Sequence, residues 1–340
     1  MEELTVRIVD LKGSPFEIGL TQGKEIISSK IINQIGMLEE LNSRSNIEKA
    51  KDLLKVIAPN YLEELRGLAE GLKLELDHVI RLFSGYDVEF PSMGCSALIT
   101  DDFYVRNYDF SPELYDARLV FSKPTAGYAS VGYSQQVVGR LDGMNEKGLV
   151  VGLHFVNHEY KAEGFLATTI VRMLLEQCAS MEEAVDFISS IPHGYCYNYS
   201  ITDPSGKGVI VEASPQKQIV NYSFPLVCTN HFQSHSLMDK NKKEIQGSKK
   251  RKEYLSGLLT EKLTPVSSYH YFNDGNSPLF FNYYKEFFGT LHTVVYSPKD
   301  LSMITGVGEN GKPTIFSLRN YLEGTINLPE EIKGTIHQAY

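Results

Sequence analysis

Residues 4–11 set Leu4, Val6 and Ile8 against Thr5, Arg7, Val9 and Asp10, an imperfect alternation that predicts a short strand. Gly13 to Gly23 reads as a turn leading into a helix, and Lys24 to Leu41 repeats Ile26, Ile27, Ile31, Ile32 and Ile35 at helical spacing. A further helical block covers 46–57. Pro59 then opens another over Tyr61 to Leu74, with Leu62, Leu65, Leu68, Ala69 and Leu72 on one face, and a shorter helix follows Asp77. At Pro91 the period falls to two. Cys95–Thr100 and Phe103–Tyr108 are rich in apolar, β-branched and aromatic residues about an Asp101-Asp102 turn, which predicts a hairpin. Strands follow at Arg118–Phe121, Tyr128–Gln135 and Gly139–Phe155, the last folding around Asn145-Glu146-Lys147-Gly148. Leu166 to Cys178 is an amphipathic helix, and Ser180 with Glu183 starts a second that ends before Pro192. Strands resume at Tyr197–Thr202, Gly208–Ala213, Gln218–Tyr222 and Leu226–Thr229. A basic helical segment, Lys240 to Leu259, precedes a hairpin of Gly289–Tyr296 with Leu301–Thr305 and a strand at Thr314–Leu318. Strand blocks around one central helical pair predict an α+β fold of two packed sheets with helices outside them.

A hydrophobic content of 42% is ample for a core, so no metal or disulfide is needed to hold the fold. The net charge of −9 argues against nucleic acid and anionic membrane as partners. No apolar run approaches the ~18 residues of a membrane span, and no basic region followed by an apolar one marks a secretory signal. Four cysteines, Cys95, Cys178, Cys196 and Cys228, lack CxxC spacing and read as free thiols of a reducing compartment. The expectation is a cytoplasmic protein without cofactor or metal, and whether it forms a homo-oligomer is open.

The hairpin carries the candidate chemistry. Gly94 precedes the Cys95 thiol, and the returning strand holds Arg106, Asn107 and Asp109, which an ordinary core strand does not need. If the chain is cut between Gly94 and Cys95, the new α-amino group lies on the nucleophilic residue itself. With a reference pKa of ~8 it is suited to general-base work. Arg106 is expected to hold the thiol as thiolate and Asp109 to fix the ammonium or the arginine; the alternative is an ion pair between them at a sheet edge.

Gly-Cys-Ser followed by Arg-Asn-Tyr-Asp resembles the N-terminal-nucleophile (Ntn) hydrolases. The resemblance is to the group uniting choloylglycine hydrolases with the acyl-coenzyme A:6-aminopenicillanic acid acyltransferase family. Gly13 to Gly19 with Gln22-Gly23, Tyr61 to Gly71, Asp142-Gly-Met-Asn-Glu-Lys-Gly-Leu149, Cys228-Thr-Asn230, and Ser248 with Arg251 extend the resemblance along the chain. It implies a four-layer αββα sandwich and autocatalytic cleavage before Cys95. The products would be a mostly helical propeptide or α chain, 1–94, and a catalytic β chain, 95–340. It also implies that Asn230 donates to the oxyanion and that Arg251 belongs to the site. The implied activity is cleavage of a linear amide through an acyl-Cys95 thioester, on a small-molecule substrate such as an N-acyl amino acid, a peptide or a β-lactam side chain. The alternatives are acyl transfer from a coenzyme A thioester or amide to an amine, and, in another class, an unprocessed non-catalytic ligand-binding scaffold.

One position departs from the pattern. Where choloylglycine hydrolases have Gly-Leu-Asn, this chain has Gly152-Leu153-His154. The second oxyanion donor is then either a ring nitrogen of His154 or a backbone N–H, with His154 as a hydrogen-bonded core residue. The pairs His154/His158 and His231/His235 follow strands and enclose no Glu, so no zinc site is expected. Asn198 reads as structural. Lys240 to Lys252 reads as a solvated basic face, or as a surface for an anionic substrate. The twenty tyrosines suggest an aromatic pocket.

Overall fold

The computed structural model describes residues 2–27, 29, 32, 35, 38, 39, 42, 45–89 and 91–337. The chain opens with β1 (Glu2–Gly13) and α1 (Pro15–Ile26), whose N-terminus carries a reciprocal Ser14–Glu17 cap with Pro15 in the first turn. Helices α2 (Ile47–Ile57), α3 (Pro59–Leu72) and α4 (Leu76–Phe83) follow. Next come β2 (Gly94–Ile99), β3 (Tyr104–Phe110), β4 (Arg118–Pro124), β5 (Ser130–Gln135), β6 (Gly139–Arg140), β7 (Asp142–Asn145) and β8 (Val150–Asn157). The central helices are α5 (Ala167–Gln177) and α6 (Met181–Ser190), before β9 (Cys196–Thr202), β10 (Gly208–Ala213), β11 (Gln218–Asn221) and β12 (Leu226–Cys228). Helices α7 (Gln246–Leu258) and α8 (Pro265–Asn273) lead to β13 (Asn282–Tyr283), β14 (Phe288–Ser297), β15 (Ser302–Val307), β16 (Thr314–Ser317), α9 (Leu318–Glu323) and β17 (Glu331–Ile336).

The strands form two sheets. One runs β11-β10-β9-β8-β7-β5-β4-β1-β17 with β6 beside β5; the other runs β12-β2-β3-β14-β15-β16 with β13 beside β14. Buried hydrogen bonds stitch the two faces together: Tyr104 to Ser200 at 2.8 Å, Arg106 to the Leu153 carbonyl at 2.6 Å, and Tyr133 to Thr305 at 2.7 Å. Helices α5 and α6 cover the outer face of the larger sheet, and α7 and α8 that of the smaller. This is the expected αββα sandwich.

Two elements differ from expectation. Helix α1 begins at Pro15, inside the stretch read as a turn, because Gly19 and Gly23 are contact residues rather than breakers. They meet Gly67 and Gly71 of α3 so closely that a Cβ at Gly23 would lie 2.8 Å from the Gly71 Cα. The predicted continuation to Leu41 falls largely outside the described residues. Helix α7 starts at Gln246, not Lys240, because Asn241 is held in a loop: its amide donates to the Phe232 carbonyl and accepts from the Phe232 N–H.

The segment before Gly94 is helical only after its first strand. β1 pairs in parallel with β4, from Arg7↔Arg118 to Gly13↔Pro124, and antiparallel with β17, from Glu2↔Ile336 to Arg7↔Glu331. Behind α1 and α3, Glu64 is buried, accepting from Gln22 at 2.6 Å and from Arg172 of α5 at 2.8 Å. Removing one partner of such a buried pair typically costs ~3–5 kcal/mol.

The glycine crossing makes a direct prediction. Gly67→Val places a side chain onto the Phe16 carbonyl oxygen and should cost on the order of 1–3 kcal/mol, lowering the thermal midpoint by several degrees. Gly257→Ala in α7 has nothing within 4 Å of the new Cβ and should be neutral or stabilising by up to ~1 kcal/mol. Circular-dichroism melts check both; an unchanged Gly67→Val midpoint would contradict the crossing.

Candidate active site

The hairpin of β2 and β3 turns at Thr100, whose hydroxyl accepts from the Phe103 N–H at 3.2 Å. Its register pairs Gly94 with Asp109, Cys95 with Tyr108, and Ala97 with Arg106. Alternation along a strand then divides the site between two faces. Cys95, Arg106 and Tyr108 face the other sheet, while Gly94, Ser96, Asn107 and Asp109 face α7 and α8. Asn107 accordingly donates to the Phe272 and Leu279 carbonyls at 2.8 and 2.9 Å. Arg106 and Asp109 are therefore not the sheet-edge ion pair considered above.

On the inner face, Arg106 Nη2 donates to Cys95 Sγ at 2.9 Å and to the Leu153 carbonyl at 2.6 Å. Its Nη1 pairs with Asp142, wholly buried. Asp142 also accepts from the Tyr296 hydroxyl at 2.7 Å and lies 3.3 Å from His292 Nε2. The Tyr133 ring stacks on His292 with centroids 3.6 Å apart, and His292 Nδ1 meets the Tyr115 hydroxyl at 2.8 Å. Burial pushes the Asp142 carboxyl up, but Arg106 and the His292 bond outweigh it, leaving the net shift below the ordinary carboxylate value.

Burial likewise dominates Cys95. It pushes the thiol up to about 11 despite the opposing pull of Arg106. The group beside Arg106 is thus a neutral thiol at pH 7, not the thiolate expected from the sequence.

The backbone of Cys95 is gripped separately. Its N–H donates to Asn230 Oδ1 at 2.9 Å, and its carbonyl accepts from Arg251 Nη1 at 2.7 Å. Arg251 also donates to Asn230 Oδ1 at 2.9 Å and to Ser96 Oγ at 2.7 Å. Asn230 Nδ2 donates to the Phe155 carbonyl at 2.8 Å and the Met93 carbonyl at 3.4 Å. Asn230 stands just beyond β12, where its own N–H donates to Ser248 Oγ at 2.9 Å. Asn198 is structural as expected: it donates to the Thr229 and His231 carbonyls at 3.0 Å each and fixes the strand end that carries Asn230.

Asp109 is fully buried. One oxygen accepts from Thr290 at 2.7 Å; the other lies 3.9 Å from Arg251 without a hydrogen bond. Burial raises its carboxyl to about 6, with Arg251 pulling the other way.

His154 sits on β8 opposite Asn198 of β9. Its Nε2 is 2.8 Å from Ser200 Oγ, and its Nδ1 has no hydrogen-bond partner. Burial, then the charges of Arg106 and Arg251, hold it well below the usual histidine range, so the ring is neutral.

The structure thus brings Gly94, Cys95, Arg106, Asp109, His154, Asn230 and Arg251 around one peptide bond. Asp142, His292 and Tyr296 join them, unassigned from sequence; only the Asp142-Gly-Met-Asn run signalled the first. Among the described residues no group of three His, Cys, Asp or Glu side chains is arranged to hold a metal, and all four cysteines are free. Among those residues, too, no helix is long and apolar enough to cross a membrane.

The family model for acyl-coenzyme A:6-aminopenicillanic acid acyl-transferase matches residues 99–312. A variant of the conjugated bile acid hydrolase from Clostridium perfringens is similar in structure at TM-score 0.51 and 14% identity, covering 73% of this chain and 98% of its own; this likeness shows the fold. Penicillin V acylase from Agrobacterium tumefaciens gives TM-score 0.42 at 17% identity, over 66% of this chain and 84% of its own.

Asp109 has a pH signature. Its carboxyl is raised from 3.8 to about 6, so between those values the folded chain keeps a proton that the unfolded chain has lost. Stability from this group therefore falls as pH rises through that window. Asp109→Asn removes the penalty: its midpoint should exceed that of the wild type above pH 6, with the gap closing below pH 4. A gap independent of pH would contradict the buried, protonatable Asp109.

Proposed function

The chain belongs to the acyl-coenzyme A:6-aminopenicillanic acid acyl-transferase family, and from that premise we propose that it is a self-processing cysteine amidohydrolase with Cys95 as nucleophile. The observation that carries this reading is the treatment of one residue. The Cys95 thiol meets a buried guanidinium at 2.9 Å while its N–H and carbonyl are held by Asn230 and Arg251, directly after a glycine.

In the first act the Cys95 sulfur bonds to the Gly94 carbonyl carbon. The Gly94–Cys95 C–N bond breaks, and the thiol proton passes to the departing nitrogen. Water then hydrolyses the Gly94 thioester, leaving a carboxylate at Gly94 and a free thiol and α-amine at Cys95. Gly94 suits the site because a Cβ there would crowd Phe288 at 2.8 Å and Asp109 at 2.9 Å.

In the second act the α-amine, next to Asn230 Oδ1, takes the thiol proton as the sulfur attacks a substrate amide. The amine leaves with a proton, and water cleaves the acyl-Cys95 thioester. Asn230 Nδ2 is one oxyanion donor. His154 Nδ1 is assigned as the second, in the tautomer in which Ser200 Oγ donates to Nε2 and the ring's single proton sits on Nδ1. An amine in place of water gives acyl transfer, the chemistry for which the family is named.

Intact-mass measurement should resolve two polypeptides, one ending at Gly94 and one beginning at Cys95. Cys95→Ala should remain a single chain and hydrolyse no amide; amide hydrolysis persisting in that variant refutes the assignment. Repeating the assay with an added amine separates hydrolysis from transfer.

A further inference from the structure

In the uncut chain the residues ahead of Cys95 occupy a defined place. Met93 is buried and lines an apolar cavity with Leu153, Phe155, Leu166, Thr168 and Tyr197; the space left is about 10 Å³, barely a water molecule. One residue earlier, the Ser92 hydroxyl accepts from Lys242 Nζ at 3.0 Å. Lys242 is partly buried, and its ammonium lies 4.8 Å from the Phe155 ring centroid, at the rim of that cavity. Among the described residues it makes no ion pair, and burial lowers its pKa against the opposing pull of Glu159. A desolvated cation held only by a hydroxyl and a ring is a site for an anion.

The tail is chemically an acyl group. In self-cleavage the piece transferred to Cys95 Sγ is the chain ending Ser92-Met93-Gly94, and a substrate's acyl group later forms the same S–C bond. Its contacts therefore map where an acyl chain runs. From the Gly94 carbonyl carbon to Ser92 Oγ the covalent path is about nine bonds. Asp87 and Val88 anchor the tail behind this point, through the Gly164 carbonyl at 2.9 Å and the Tyr195 hydroxyl at 3.1 Å.

We propose that the cut enzyme takes acyl groups with an apolar body and an anionic far end, the body filling the Met93 cavity and the anion pairing with Lys242. The fitting class is the monoamide of a medium-chain dicarboxylic acid. The step balances as ordinary acylation: S–C forms, C–N breaks, the thiol proton leaves on the amine, and water releases the diacid. This rests on the Cys95 reading above.

Three p-nitroanilides test it: the nonanedioic monoanilide, whose carboxylate oxygen lies about nine bonds from the reacting carbon, its neutral ω-methyl ester, and the shorter butanedioic monoanilide. The expected kcat/KM for the nonanedioic anilide is about tenfold above both others. Lys242→Met should bring the acid-to-ester ratio to about one, Lys242→Arg should restore it, and Lys243→Met on the exposed neighbour should leave it unchanged. Hydrolysis of all three anilides without preference, or a preference that survives Lys242→Met, overturns the subsite while leaving Cys95 as nucleophile. A chain that stays uncut and hydrolyses none of them overturns the Cys95 reading itself, and the subsite with it.

Discussion

A guanidinium with no exposure to solvent must be neutralised, or it costs several kcal/mol. Arg106 lies in the layer between the sheets, and Asp142 is the group that permits it to be there. Because Asp142 is itself held by Tyr296 and His292, three strands from two sheets must align before the charge is balanced. The free arm of Arg106 then reaches the Cys95 sulfur and the Leu153 carbonyl. The aim of the site is thus a by-product of solving a burial problem in the core.

Around Cys95 the hairpin separates two tasks. Arg106 and the thiol meet on the inner face. Control of the peptide unit comes through Arg251 and Asn230, which grip the carbonyl and the N–H. This separation lets the peptide bond be held still without crowding the sulfur. It also explains why Asp109, three residues from Arg106, serves Arg251 and Thr290 instead.

Much of this was legible in the residues. Period-two alternation after Pro91 locates the hairpin, and Cys95, Asn230 and Arg251 stand in motifs that resemble a known family. The opposite faces of Arg106 and Asp109 also follow from strand geometry, since positions three apart cannot share a face. What stayed hidden was long-range. The Arg106–Asp142 pair spans 36 positions and the His292–Asp142 contact 150, and no local pattern reports such meetings. Gly19 and Gly23 misled for a related reason: glycine in a helix reads as a break unless the partner glycines of α3 are already known to lie against it. The thiol's protonation state was misjudged because burial, which dominates it, is a property of the folded layer.

The placement of β1 carries one more consequence. Glu2 pairs with Ile336, so the larger sheet closes only when residues from opposite ends of the chain find each other. While the chain is whole, that search is intramolecular. A break at Gly94 leaves β1 on one piece and both of its neighbours, β4 and β17, on the other, so re-forming the sheet from unfolded pieces becomes a bimolecular reaction that depends on dilution. The folded assembly would then persist by the slowness of its unfolding rather than by its capacity to refold.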